Sequence, residues 1–168
     1  MKRIFFAIAL MALVGASKGQ GTVSAGRTQL NLGVGFSDWG TPFYLGVDYG
    51  AARNLTLGGE LSFRSYDENW NNGYYRRSIT GISGNANYHF NRVLEIPRNI
   101  DFYAGLNLGF YVWSAAADGY QGNHSSGLGL GAQVGGRYFL TNKFGLNLEF
   151  GGGNAFSGGK VGITLKLD

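Results

Sequence analysis

The residues best suited to covalent catalysis are His124 and Ser126, which lie in a segment rich in serine and glycine. A histidine beside a serine hydroxyl can accept its proton and activate it as a nucleophile. Such a pair works with an acid that orients the histidine. Asp118 precedes the pair and Glu149 follows it, but neither is an obvious partner. A solvated loop histidine is therefore the preferred interpretation, and a hydrolase is the alternative.

Charged residues that stand alone in apolar or glycine-rich segments are the second group of candidates. Two of them, Glu60 and Glu149, could form a carboxylate pair of the kind that hydrolyses glycosides. They could equally be neutralised by cations in a protein interior, where an isolated charge costs several kcal/mol. We expect both to share Arg64, Arg137 or Lys166 as partners. The predicted interior ion-pair network is Glu60, Arg64, Arg137, Glu149 and Lys166, with Asp48, His89 and Lys160 also pointing inward.

These residues are carried by segments in which apolar and small or polar residues alternate. Leu106 and Leu108, for example, are interleaved with Gly105, Asn107 and Gly109. A period of two indicates strands with one apolar face. It predicts eight strands, at about 28–37, 42–50, 54–66, 76–90, 99–113, 125–140, 142–152 and 158–168.

The lengths of the strands and their connections point to a membrane. Several strands have ten residues or more, whereas strands of soluble proteins average about 5–6 and tilted transmembrane strands need about 9–11. Tight turns at 51–53 and 141–143 alternate with mostly longer connections at 38–41, 67–75, 114–124 and 153–157. This alternation is typical of an up-and-down outer-membrane barrel.

The N-terminal segment has the order of a secretory signal. Lys2-Arg3 precedes an apolar run over 4–16, and small and polar residues follow. We expect residues 1–19 to be removed, with cleavage after Gly19 or, alternatively, after Ala16, and residues 20–168 to form one β-barrel domain.

Without Lys2, Arg3 and Lys18, the 14 basic residues fall to 11 against 10 acidic ones. The absence of a basic patch argues against nucleic acid as a partner, and no metal or other cofactor is expected.

The apolar face is predicted to meet lipid rather than a soluble interior, as it would in a lipocalin. The other face carries glycine, asparagine, threonine and serine with few charges, whereas a water-facing sheet normally carries many. Aromatic residues lie near the strand ends, as in the two aromatic girdles of a bilayer interface: Phe36, Trp39, Phe43 and Phe150 at the long connections, and Tyr49, Phe90, Phe102, Tyr138 and Phe144 at the tight turns. Inward glycines would make room for Tyr44, Tyr103, Tyr111 and Trp113.

Two of the long connections, 67–77 and 114–126, combine aromatic residues with arginine and asparagine. Such residues dominate binding hot spots, so an extracellular protein or glycan is a candidate partner. Interfacial anchoring and contact of Arg76 and Arg77 with lipopolysaccharide is the simpler alternative. The predicted surface-loop binding residues are Trp70, Tyr74, Tyr75, Arg76, Arg77 and Tyr120.

Residues 135–151 read GGRYFLTNKFGLNLEFG. This stretch resembles the penultimate hairpin of the small OmpA/OmpX-like, porin-family outer-membrane barrels of Gram-negative bacteria. The resemblance implies an all-β, eight-stranded antiparallel transmembrane barrel. It also implies outer-membrane lipids and lipopolysaccharide, the barrel-assembly machinery and periplasmic chaperones as partners. In addition, the spacing of His124 and Ser126 is similar to that in the outer-membrane lipid A deacylases.

Three functions remain open from the sequence. The preferred one is a structural and surface-interaction role without catalysis, in a barrel whose lumen is filled by side chains. The alternatives are a narrow channel for small solutes and, less favoured, a lipid A-modifying hydrolase using His124 and Ser126.

Overall fold

The computed structural model describes residues 23–37, 40–70, 73–114, 126–154 and 157–167; the side chains of 66–70 and 73–76 are not described. Among these residues, no helix has the length and hydropathy needed to cross a membrane. The predicted signal segment, 1–19, lies outside the described residues. The strands are β1 Thr28–Ser37, β2 Phe43–Ala52, β3 Leu55–Trp70, β4 Gly73–His89, β5 Ile100–Trp113, β6 Gly127–Phe139, β7 Phe144–Gly153 and β8 Gly158–Leu167.

The eight strands form a closed barrel in which each strand is antiparallel to its neighbours along the chain. Strands β1 and β8 close it, with Thr28 opposite Leu167 and Ser37 opposite Gly158. Closure satisfies the backbone amides that an open sheet edge would expose to hydrocarbon. The predicted all-β meander is therefore confirmed.

The largest departure from the predicted strands is the hairpin of β3 and β4. These strands have 16 and 17 residues and stay paired as far as Trp70 and Gly73. The prediction of a loop at 67–75 was wrong, because only residues 71 and 72 separate the two strands. The sequence Asn71-Asn72-Gly73 is a signal for a tight hairpin turn.

The two faces of the barrel have the predicted polarity. Leu106 is 63% exposed on the outer face, whereas Tyr103 is buried in the lumen. A side chain at Gly135 would overlap the Tyr103 ring, and one at Gly81 would approach Tyr111 to 2.7 Å. Glycine on the inner face thus provides the volume that these lumen tyrosines occupy. Exposed aromatic residues stand near both rims, with Trp39 outside the described residues: Phe36, Phe43 and Phe150 at one end, and Tyr49 and Phe102 at the other.

Candidate functional site

The lumen is crossed near the tight-turn rim by a buried ionic cluster centred on Arg137. Its guanidinium donates hydrogen bonds to Asp48 Oδ2 at 2.7 Å and to Asp101 Oδ2 at 3.0 Å. These residues come from β6, β2 and β5, and their side chains are at most 3% exposed. His89 lies between Asp101, at 2.8 Å, and the Thr56 hydroxyl, at 3.0 Å. Arg137 therefore ties together strands on different sides of the barrel.

Neutral groups complete the coordination of this cluster. Gln29 and Asn31 donate to Asp48 Oδ2 at 3.0 and 2.9 Å. The Arg137 guanidinium lies 4.2 Å from the centroid of the Tyr103 ring, which is cation–π geometry. Buried charges persist where they are paired and hydrogen-bonded in this way.

A second ionic cluster lies nearer the long-connection rim. The Lys160 ammonium is 2.7 Å from both Glu60 Oε2 and Glu149 Oε1. The Tyr103 hydroxyl donates to Glu149 Oε2 at 2.8 Å. Since Tyr103 also faces Arg137, its side chain links the two clusters through the lumen.

Amide and hydroxyl chains line the rest of the lumen. The Tyr44 hydroxyl donates to Asn147 Oδ1 at 2.7 Å, Asn147 donates to the Thr164 hydroxyl at 3.0 Å, and Thr164 donates to Asn31 Oδ1 at 2.7 Å. On the opposite wall, Gln133 donates to Asn87 Oδ1 at 2.7 Å. Uncharged side chains thus fill the space between the ionic clusters.

The predicted lumen residues point inward, but the expected pairing of the glutamates was wrong. Glu60 and Glu149 share Lys160, which was placed inward by its parity but was not named as their partner. The reason is register, because Glu149 lies directly opposite Lys160 on the neighbouring strand. Arg137 instead pairs with Asp48 and with Asp101, which was not identified although it shares the parity of Tyr103.

The two other predicted cations occupy separate positions. Arg64 donates to the Ser37 hydroxyl at 3.1 Å near the long-connection rim. The Lys166 ammonium lies 3.8 Å from the centroid of the buried Phe139 ring. Neither position was predictable from parity alone, since parity gives the face of a residue and not its depth.

Most of the predicted surface-loop residues cannot be placed. Tyr120 and His124, and the side chains of Trp70, Tyr74, Tyr75 and Arg76, lie outside the described part of the chain.

Arg77 is described, and its predicted surface position was wrong, because its side chain is only 4% exposed. It donates to the Ser114 carbonyl at 3.1 Å and lies 5.7 Å from the centroid of the Trp113 ring. Position 77 falls on the inward parity of the extended β4. The Ser126 hydroxyl accepts a hydrogen bond from the Trp113 amide at 3.2 Å.

The family model for the "Outer membrane protein beta-barrel domain" matches residues 4–166. The chain belongs to this family. No curated protein matches the chain.

Solved structures of small outer-membrane barrels are similar to this outer-membrane barrel protein over most of its length. OprG of Pseudomonas aeruginosa has a TM-score of 0.66 at 13% identity, over 89% of this chain and 99% of that one. The N-terminal barrel domain of OprF of the same organism has a TM-score of 0.61 at 13% identity, over 86% and 100%. The neisserial surface protein NspA has a TM-score of 0.56 at 15% identity, over 84% and 95%. At these identities the similarity concerns the fold.

Membership in this family places this Gram-negative barrel protein in the outer membrane, with its exposed apolar face against lipid.

The space left in its lumen is small. A cavity of about 110 Å³ lies toward the long-connection rim, bordered by Arg64, Tyr111 and Lys160. A void of about 20 Å³ lies deeper, between Asp48, Tyr103 and neighbouring side chains. Among the described residues, no three potential metal-ligating side chains come together.

Proposed function

We propose that this outer-membrane barrel protein acts without catalysis, as a structural and surface-interaction protein whose lumen is closed to solutes. The observation that supports this proposal best is the Arg137 cluster. It joins Asp48 and Asp101 across the lumen through side chains at most 3% exposed. Permeation through this level requires that these bonds break, and removing one partner of a buried pair costs about 3–5 kcal/mol.

The size of the deeper void supports the same proposal. A cavity needs roughly 10–15 Å³ to hold one water molecule, so a void of about 20 Å³ holds one or two. A hydrated ion or a small solute does not fit without displacing side chains. A narrow channel is therefore the second candidate and would require a rearranged lumen.

Planar-bilayer conductance tests the closed lumen directly. Purified wild-type protein should give no steady current above that of the lipid alone, while a general porin measured in the same bilayers gives open-channel steps. Stable, reproducible steps from the wild-type barrel would support the channel and reject the closed lumen. Co-purifying porin must be excluded by repeating the recording on refolded protein.

The surface-interaction role rests on the long β3–β4 hairpin. Strand β3 has 16 residues, six more than β2, which at about 3.4 Å per residue adds roughly 20 Å of strand. We infer that this hairpin projects from the membrane and presents its aromatic and basic residues to lipopolysaccharide or to an extracellular protein or glycan.

Because Tyr66 lies opposite Arg77 in the β3–β4 ladder, the hairpin can be shortened without changing its register. Residues 67–76 are replaced by Asn-Gly, a favoured two-residue turn. Binding of purified lipopolysaccharide and of a glycan array should fall to background, while the melting temperature of the barrel stays unchanged. Equal binding by the shortened and wild-type proteins would reject the hairpin as the binding element.

The hydrolase alternative has a separate test. Mass spectra of lipid A from cells expressing the wild type and Ser126→Ala should be identical, as the proposed role without catalysis requires. Lipid A that loses an acyl chain only with the wild-type protein would establish the hydrolase.

A further inference from the structure

The connection between β4 and β5 exposes two adjacent apolar residues beyond the strands. Val93 is 64% and Leu94 58% exposed, as much as lipid-facing residues such as Leu106. Of the large apolar residues exposed in the described part of the chain, only these two and Leu140 lie outside the strands. All three are at the tight-turn rim. Exposed apolar side chains outside the lipid-facing strands are a candidate interaction surface.

The connection is an ordered turn rather than a loose loop. The Leu94 amide donates to the Phe90 carbonyl at 2.9 Å, and the Ile96 amide donates to the Asn91 carbonyl at 2.8 Å. The Asn91 side chain bonds the Ile100 carbonyl and accepts from the Phe102 amide, which fastens the turn to β5.

The turn follows directly on an aromatic residue at the lipid boundary. The bond from the Leu94 amide to the Phe90 carbonyl closes a single turn of chain between these two residues. Phe90 itself packs between two aromatic rings near the lipid boundary, with centroids 5.1 Å from Tyr88 and 5.8 Å from Phe102. The apolar tip therefore lies within four residues of aromatic side chains at the lipid-facing surface of the barrel.

The exposed charges described at this rim are mostly positive. Exposed described side chains beyond or at the ends of the strands include one anion, Glu95, and five cations: Arg27, Arg53, Arg92, Arg98 and Lys143. The sequence of the opposite connections is mainly acidic, with Asp38, Asp67, Glu68 and Asp118 against Arg76 and the buried Arg77. A basic surface next to exposed apolar residues has the chemistry of an interfacial lipid contact.

We propose that the 90–98 turn is a binding surface for anionic phospholipid, with Val93 and Leu94 inserted below the headgroups and Arg92 and Arg98 contacting their phosphates. The occupant is a lipid surface rather than a soluble partner, because the apolar tip lies within four residues of the belt that already meets acyl chains. The turn would hold the tight-turn rim at a fixed depth in its leaflet.

The absence of cysteine from the chain allows single-site labelling. Leu94→Cys carries an environment-sensitive fluorophore in protein reconstituted in phosphatidylcholine vesicles with a minor fraction of phosphatidylglycerol. Asn142→Cys, in the exposed turn between β6 and β7 at the same rim, is the matched control. The label at 94 should show blue-shifted emission and be quenched by lipids spin-labelled near the headgroup. The label at 142 should emit as in water.

The charge contribution is measured by comparing quenching by spin-labelled phosphatidylglycerol and phosphatidylcholine. A basic residue near an anionic surface contributes about 1 kcal/mol of binding free energy, which corresponds to about a fivefold change in affinity. In the double variant Arg92→Gln/Arg98→Gln, each replaced arginine should therefore reduce the preference for phosphatidylglycerol about fivefold. Arg92→Lys/Arg98→Lys retains the charge and should retain the preference.

Three outcomes would overturn the proposal. The label at 94 could emit as in water, like the label at 142. The preference for phosphatidylglycerol could survive in the double glutamine variant. The label at 94 could instead respond to added peptidoglycan fragments and not to lipid, which would assign the turn to a cell-wall partner.

Discussion

Replacement of Arg137 by methionine is the most direct perturbation of the lumen. The change removes hydrogen bonds to Asp48 and Asp101 and the stacking on Tyr103, while the methionine retains much of the volume. Both carboxylates are left buried without their cation, which costs about 3–5 kcal/mol for a buried pair. Two donors to Asp48 and His89 beside Asp101 remain. We therefore expect a loss near the lower end, about 3 kcal/mol of unfolding free energy.

The assay is urea unfolding of the barrel in phospholipid vesicles, followed by tryptophan fluorescence and by heat-modifiable mobility on gels. A triple variant, Arg137→Met with Asp48→Asn and Asp101→Asn, removes the uncompensated charges and should recover most of the loss. Lys143→Met, at an exposed turn, should stay within about 0.5 kcal/mol of the wild type. A single variant within 1 kcal/mol of the wild type, or a triple variant no more stable than the single one, would refute the electrostatic account.

Three further substitutions and one control substitution test the two faces of the barrel and the second ionic cluster, around Lys160, in the same unfolding assay. Gly135→Ala should lose about 1–3 kcal/mol of unfolding free energy through overpacking of the lumen. The control, Gly59→Ala, should lose nothing, because its new methyl group would have no neighbour nearer than 3.7 Å. Equal effects of the two substitutions would contradict the packing described. Leu106→Arg should cost about 2–4 kcal/mol at the lipid face, and an unaffected barrel would put that face in water. Lys160→Met should cost about 1.5–3 kcal/mol of unfolding free energy. The cost is limited because the Lys160 side chain is 24% exposed, so water can replace part of its interaction with the two glutamates. A larger loss would mean that water does not reach this cluster.

Most of the fold could be predicted from the alternation of apolar residues with small or polar ones. This alternation predicted eight strands, the approximate ends of most of them and the inward face of the lumen charges other than Arg77 and Asp101, because a period of two is the direct consequence of strand geometry. Register was not available from the same pattern. The pairing of Glu149 with Lys160 depends on which residues of β7 and β8 lie side by side, and alternation is unchanged when a strand slides by two residues.

The errors at the 67–77 segment have a related cause. Its polar and aromatic residues were interpreted as a loop because lipid-facing alternation ends there, but strand pairing continues beyond the region of apolar residues. Arg77 was placed on the surface for that reason, although on a continued β4 its parity directs it inward. The turn sequence Asn71-Asn72-Gly73 was the signal that could have corrected both predictions.

The polar lumen is also the part of the molecule that specifies register. A slip of one residue would turn the whole apolar face of a strand inward, so the lipid face excludes odd shifts. A slip of two residues is different, since most outward positions are interchangeable aliphatic residues, as with Leu30 and Leu32 on β1. Such a slip would move Asp48 away from Arg137 and leave charges unpaired in the lumen. The interior network therefore selects one register where the hydrophobic pattern alone leaves several.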